Sequence, residues 1–338
     1  RSVHNKELDD KYKNEVEKLL QKWYAEKVPE NEVNRYDGKV WYLPHTAVVH
    51  PKKPEKLRVV FDCAAVHNGT SLNANVLQGP DLTNSLIGVL LRFRQHEVAV
   101  MADIEAMFNQ VKVPPTDRDV LRFLWWEDGD LDKEPSIYRM TTHLFGGVWS
   151  PSAANYALKQ TAHEGSSKYD QYMCKAVLQD FYVDDFVKSI PEVTLAKAVV
   201  KDVILADGGF HLTKWTSNSK QVLDTIPEAE LAVQLPVVDL NIHNRVMESA
   251  LGVSWCIDSY TLGYHVTARD NVATKRGMLS IVSSVYDPLG LASPFILMAK
   301  QLLQDMTRRG IGWDEPIRED LSDAWQAWLT DLPRSEEH

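Results

Sequence analysis

The sequence predicts an α+β fold, and three observations predict it. Strand-like and helix-like segments mix without the regular β-then-α rhythm of a doubly wound sheet. A chain of 338 residues with 44% hydrophobic residues can bury a substantial core, in one lobed domain or in two to three subdomains. No internal repeat or low-complexity tract interrupts it.

The elements follow in order. Residues 6–26 set Val16, Leu19, Leu20 and Trp23 at helical spacing among charges, and Pro29 closes that segment. Strand-like pieces come next at 40–43, 47–49 and 57–61, and the Pro-Lys-Lys-Pro turn at 51–54 makes the last two a hairpin arm. A helix is predicted over 86–94. The apolar run Val98–Ala102 then ends in Asp103. Beyond Pro114-Pro115 lie an aromatic-rich strand at 121–126, an acidic loop and a strand at 137–140. Ser150-Pro151 reads as a helix start, Ser as the N-cap and Pro at the first helical position, with an end before Gly165. Residues 175–189 read as strand, tight turn, strand, and 194–206 as a helix closed by Gly208-Gly209. Leu279, Val282 and Tyr286 form a helical stripe that stops at Asp287-Pro288. Ser293-Pro294 opens a further helix to Arg309, with Gly310 as its stop.

Charge and cysteine usage narrow the class. The formal charge of −10 is uneven: from Trp313 to His338 eight acids face Arg318 and Arg334. Between Lys39 and Arg58 the balance reverses, since Lys39, Lys52, Lys53, Lys56 and Arg58 face only Glu55. Such a strip can hold phosphate on an acidic protein, although an ordinary solvated loop carries the same charges. Cys63, Cys174 and Cys256 are too scattered for a disulfide framework or a zinc site and read as buried free thiols of a reducing compartment. No apolar run reaches the roughly 18 residues of a membrane span. The first residue is Arg1 and no signal-peptide pattern follows, which reads as a piece of a longer polyprotein.

The chemistry concentrates in Phe181–Phe186, the string FYVDDF. Adjacent strand residues point to opposite faces, so Asp184 and Asp185 can share one site only at a bend. Their mutual repulsion calls for a compensating charge, which a divalent cation supplies. The bland alternative is a solvated Asp-Asp turn. Asp103, at the end of a buried strand, is either a solvated strand end or a third ligand beside them. Two-metal phosphoryl transfer needs such a set of carboxylates, and magnesium is the default ion for hard oxygen ligands.

The segments WYLPHTAVVHP (41–51), RVVFDCAA (58–65), SLNANVLQGPDL (71–82), LLRFRQ (90–95), DIEAMFNQV (103–111), FGGVWSPSAANYAL (145–158), FYVDDFVKS (181–189), GFHLTKWTSN (209–218), LGVSWC (251–256) and SSVYDPLGLASP (283–294) stand in one order over most of the chain. In them the chain resembles the reverse transcriptase of BEL/Pao-type LTR retrotransposons, part of a pol polyprotein. The resemblance implies a right-hand polymerase with an antiparallel palm sheet flanked by helices. Residues 1–36 would be an N-terminal helical extension, 37–77 and 111–149 the fingers, 78–110 and 150–259 the palm, and 260–338 the thumb or connection.

It also implies roles. Asp103, Asp184 and Asp185 would bind two Mg2+ or Mn2+ ions. Phe108 would be the steric gate against a ribose 2′-hydroxyl, its plain alternative being a core Phe. Backbone N–H groups from Ile104 to Phe108 would approach the triphosphate of a dNTP, and Arg58 with Lys52 or Lys53 would reach its phosphates. Phe145 and Gly146 would pack against nucleotide and template; Phe145 stands where retroviral enzymes carry Gln, so a side-chain hydrogen bond is missing there. Lys214 would protonate pyrophosphate. Leu251 and Gly252 would hold the primer, with Gln78, Gly79 and Pro80 as weaker template contacts. The implied partners are an RNA template and a DNA primer–template duplex, and no membrane. The implied place is the cytoplasm, in the element's virus-like particle, or the nucleus. No protease motif is present and no acidic constellation after residue 260 suits RNase H, so protease, RNase H and integrase are expected outside this chain. Two other readings stand beside this one: another two-metal enzyme such as a nuclease or integrase, and a catalytically silent or domesticated binding module for nucleic acid or protein.

Overall fold

The computed structural model describes residues 6–35, 37–50, 53–201, 204–232, 247–257, 260–263 and 273–332, with backbone only at 50, 53–56 and 247–249. The fold is α+β, as the mixed pattern implied. Its described strands are β1 (Ala25–Lys27), β2 (His45–His50), β3 (Lys53–Phe61), β4 (Val98–Ile104), β5 (Arg122–Trp125), β6 (Ser136–Met140), β7 (Phe181–Tyr182), β8 (Asp185–Ile190), β9 (Leu212–Ser217), β10 (Met247–Ala250), β11 (Val253–Cys256) and β12 (Thr261–Gly263). The ladders β1-β6, β5-β6, β2-β3, β4-β8, β10-β11 and β11-β12 are antiparallel. No helix among the described residues is long and apolar enough to cross a membrane.

The chain divides into two compact units, the first being Arg1–Asn84, Ile104–Asp184 and Asp202–Leu212. Its core gathers on the sheet β1-β6-β5, where Phe123, Trp125, Tyr138 and Met140 alternate inward and meet Val16 from the helix Lys6–Gln21. The helix is held from its middle: the Tyr12 hydroxyl reaches His45 Nδ1 on β2, and the Tyr12 ring meets Trp125 edge-on at 5.7 Å. Arm β2-β3 pairs from His45↔Phe61 to Val49↔Leu57. A charge network centres on a buried acid. Asp119, 0% exposed, accepts from Arg122 Nε at 2.9 Å, Arg139 Nη1 at 3.0 Å and Arg35 Nη1 at 2.9 Å.

The second unit is Ser85–Asp103, Asp185–Lys201 and Thr213–His338. Its sheet runs in the order β8-β4-β9. Strand β4 is central and apolar on both faces, with Ala99 and Val100 at 0% exposure. Helix Leu86–Phe93, capped by Ser85, is tied to β8 through Ser189, whose hydroxyl donates to Arg92 O at 2.7 Å. Three helices close the chain: Lys275–Ser284, Ser293–Arg308 and Glu319–Asp331. Met278, Ile281, Ala299, Met306, Trp325 and Trp328 fill the space between them, and the last two rings stack at 5.0 Å. Burying each large apolar side chain of this kind stabilises the fold by about 2–3 kcal/mol.

Several boundaries differ from expectation for identifiable reasons. The first helix ends at Gln21, because Trp23 turns left-handed (φ 58°) and feeds β1. The strand expected at 40–43 is a single bridge, Tyr42↔Arg122. Residues 175–179 are helical rather than strand: Asp170 caps Gln171–Gln179 by accepting from the Tyr172 N–H, and Met173, Ala176 and Val177 bury one face. Ser150 and Ser293 are first helical residues, not N-caps. The Ser150 hydroxyl instead donates to Leu144 O at 2.8 Å, inside the fold. The predicted 194–206 helix is Val193–Lys201 and Ile204–Asp207, with 202–203 outside the described residues. All three cysteines are free and buried, and burial pushes the Cys63 thiol up to about 12.

Candidate functional site

Strands β4 and β8 pair from Val98↔Ile190 to Asp103↔Asp185. Residues directly opposite in such a ladder put their side chains on one face, with Cβ atoms roughly 4.5–5.5 Å apart. Asp103 and Asp185 therefore share a face at the end of the ladder. Two ionised carboxylates so placed repel each other. The Lys214 ammonium, from β9 on the other side of β4, donates to Asp103 Oδ2 at 2.6 Å. Asp103 is 27% and Lys214 58% exposed at the side chain, so the face is open to solvent.

Asp184 belongs to the other compact unit, one residue before the ladder. Its carbonyl accepts from the Ile104 N–H at 2.8 Å, which fixes the turn beside the strand that delivers Asp103. The bend that two adjacent acids required is present: Val183, β-branched, sits at φ 57°. Phe181 is 2% exposed, and its carbonyl accepts from Asn84 Nδ2 at 2.9 Å. A buried aromatic thus anchors the turn while the acids lie at its tip.

These oxygen donors have the chemistry that magnesium takes. Among the described residues, however, no group of three or more His, Cys, Asp or Glu side chains gathers into a site for a metal ion. The described structure aligns Asp103 with Asp185 and ties one carboxylate to Lys214; it does not draw three carboxylates into one cluster.

In the first unit, Ile104 is 1% exposed and Ala106 is left-handed (φ 47°, ψ 48°), opening the single helical turn Met107–Gln110. That turn presents Phe108, whose ring meets Phe145 at 4.8 Å. Arg58 lies over the other ring, its Cζ 5.8 Å from the Phe145 centroid. Phe108 is partly buried. Gly146 has φ 111°, and a Cβ there would lie 2.0 Å from the Phe61 carbonyl oxygen, so only glycine fits. Asn73 clamps the same segment: its Nδ2 donates to Gly146 O at 3.0 Å, and its Oδ1 accepts from the Val148 N–H at 3.1 Å.

The remaining candidates separate. Gly79 packs so close to Ser152 that a Cβ would meet Oγ at 2.4 Å, and Gln78 and Pro80 are exposed beside it. Leu251 (φ 53°) and Gly252 (φ 86°) form the two-residue turn of the β10–β11 hairpin, with Ala250 opposite Val253. Two left-handed residues make a turn that suits the strand twist. Lys52 lies outside the described residues, and Lys53 is described only as backbone in β3.

Sequence reasoning missed Asn73, Glu105, Lys22 and His211. Glu105 accepts from Lys22 Nζ at 2.6 Å and lies 3.4 Å from His211 Nδ1. The Lys22 ammonium beside it, with help from His211, holds its carboxyl below the usual carboxylate range. Eight described residues other than glycine have positive φ, among them Ala106 and Val183 in the first unit and Lys214 and Leu251 in the second. Strain of that kind costs of order 1–3 kcal/mol per residue.

No curated protein matches the sequence. Residues 274–338 match the family described as Pao retrotransposon-like RNaseH-like domain. In the described part of that segment four of the acids have partners within the segment. Asp287 accepts from the Leu291 and Ala292 N–H groups, Asp314 pairs with Arg276, and Asp305 and Asp320 pair with Arg309.

By structure, the chain is similar over 98% of its length to the foamy viral protease-reverse transcriptase dRH in complex with double-stranded DNA (TM-score 0.58, 17% identity, 49% of that chain). It is similar over 99% to the same viral protein with double-stranded DNA (TM-score 0.58, 16% identity, 59% of that chain). Over 98% it is similar to that protein with an RNA/DNA hybrid (TM-score 0.55, 14% identity, 38% of that chain). The chain thus spans between 38% and 59% of the length of these structures. At such identities the likeness is one of fold. The family match covers the C-terminal end, and the structural likeness along the chain is one of fold.

Proposed function

We propose that this chain is the polymerase part of a BEL/Pao-type reverse transcriptase, extending a DNA primer on RNA or DNA with dNTPs. The observation that carries the reading is the register Asp103↔Asp185 at the open end of a buried strand pair, with Lys214 alongside. Fingers, palm and thumb are assigned as the resemblance implies, and the reaction takes place in the element's cytoplasmic particle.

Asp103, Asp184 and Asp185 would hold two magnesium ions, which when bound would supply activation of the primer 3′-hydroxyl and neutralisation of the triphosphate. Lys214, which donates to Asp103 Oδ2, would protonate the pyrophosphate. Phe108 closes the space where a 2′-hydroxyl would sit, braced by Phe145. Arg58 contacts the phosphates from the arm, and Leu251-Gly252 carries the primer.

A second reading draws on the family match: a nuclease-type or non-catalytic nucleic-acid module whose name-giving segment is 274–338. Primer extension with RNA and DNA templates and Mg2+ or Mn2+ separates them. Extension that Asp184→Asn abolishes supports the polymerase. Template cleavage without extension supports the nuclease, and duplex binding without either supports the silent module.

A further inference from the structure

Glu105 lies two residues beyond Asp103, and the transfer chemistry does not use it. It is nevertheless the most heavily tied residue of the nucleotide-approach turn. Its carboxylate takes Lys22 Nζ at 2.6 Å, across 83 positions of sequence, and His211 Nδ1 lies 3.4 Å away, across 106. Its own N–H donates to the His211 carbonyl at 2.9 Å. Its carbonyl accepts from Gln110 Nε2 at 2.8 Å, and that amide also donates to the Tyr24 hydroxyl at 3.1 Å. The end of the first helix, the loop before β9 and the turn Met107–Gln110 therefore meet on one residue, all within the first compact unit.

The next residue, Ala106, holds the left-handed conformation that aims Met107–Gln110 and its Phe108. An alanine has no intrinsic reason to stay there. The Lys22–Glu105 pair is about half exposed, and exposed pairs add little to global stability. An ordinary surface salt bridge would be lone and side chain only. Here two side-chain and two backbone contacts converge on the residue preceding a strained one.

We propose that Glu105 is a positioning residue, and that Lys22 and His211 form with it a clasp that holds the Ala106 turn in the shape that receives the incoming nucleotide. The N-terminal helical segment is then part of the nucleotide-binding device and not an appendage. This rests on the polymerase reading.

The test is steady-state primer extension by the full chain, with melting midpoints measured in parallel. Glu105→Ala and Lys22→Ala raise KM for dNTP about tenfold, as expected of a displaced binding turn, with kcat within about twofold of wild type. Their melting midpoints stay near wild type. The charge reversal Lys22→Glu with Glu105→Lys restores KM most of the way. Lys22 lies outside the turn, so its variant remains informative where Glu105→Ala fails to fold. Active wild type with unchanged KM in Lys22→Ala overturns the clasp. So does a lowered melting midpoint with kcat and KM affected alike and no restoration on reversal. Wild type that extends no primer overturns the polymerase reading, and the clasp with it.

Discussion

Replacing Asp119 by Asn removes one negative charge from the network it centres and leaves its shape almost unchanged. Burial alone would push the Asp119 carboxyl upward; the guanidinium groups of Arg139 and Arg122 outweigh it and hold the carboxyl below the usual range. Arg122, 0% exposed, pairs with the Asp119 carboxylate, and its other bonds go to the Val33 carbonyl at 2.9 Å, the Glu32 carbonyl at 2.6 Å and the Tyr42 hydroxyl. Arg139 keeps Glu26 at 2.8 Å and Glu32 at 2.5 Å, and Arg35 keeps Asp37. The loss therefore falls on Arg122. Breaking a buried pair on one side costs about 3–5 kcal/mol, and the surviving bonds set this case near 3. For domains of 150–250 residues that is a fall of roughly 6–12 °C in melting midpoint. Urea denaturation followed by circular dichroism reads the change as a lower midpoint concentration at constant slope. A loss under about 1 kcal/mol would show that water or a neighbouring acid neutralises Arg122, and would refute the argument.

Three further outcomes follow from the same structure. Phe108→Ala opens the space beside Phe145 and admits ribonucleotides, with discrimination falling about a hundredfold in competing-nucleotide extension; unchanged discrimination would remove Phe108 from the gate. Gly146→Ala costs about 2 kcal/mol or more, because the new methyl meets the Phe61 carbonyl at a positive φ, and thermal unfolding measures it. Burial lowers the basicity of His143, whose Nδ1 accepts the Trp149 indole N–H at 2.9 Å. Its stabilisation is full above the unfolded value of about 6.5 and is lost as pH falls from there toward the lower folded value. His143→Gln flattens the fall in stability as pH drops below about 6.5, read from urea midpoints at each pH.

Much of the candidate site was legible because its logic is local. Two acids between β-formers demand a bend, and the bend is at Val183. An apolar run ending in Asp103 implies a central strand, and β4 is one. The pairing of β4 with β8 needed the resemblance, since no local rule names a partner eighty positions away. Elements whose identity rests on tertiary contacts were hidden. Ser150 looked like a cap, but Leu144 O, brought in by folding, captures its hydroxyl. The 175–179 segment reads as strand by its apolar run and becomes helix because Asp170 caps it. The Asp119 network and the Glu105 clasp are invisible in sequence, since each joins segments far apart by contacts to backbone as well as side chains.

Manganese binding tests the central claim most directly. Electron paramagnetic resonance of the chain with a dideoxy-terminated primer–template and dNTP counts the bound ions. Two ions in the wild type, with loss of binding in both Asp103→Asn and Asp185→Asn, is the result the account predicts. Binding that survives both substitutions would show that these two carboxylates do not hold the metals, and would contradict it.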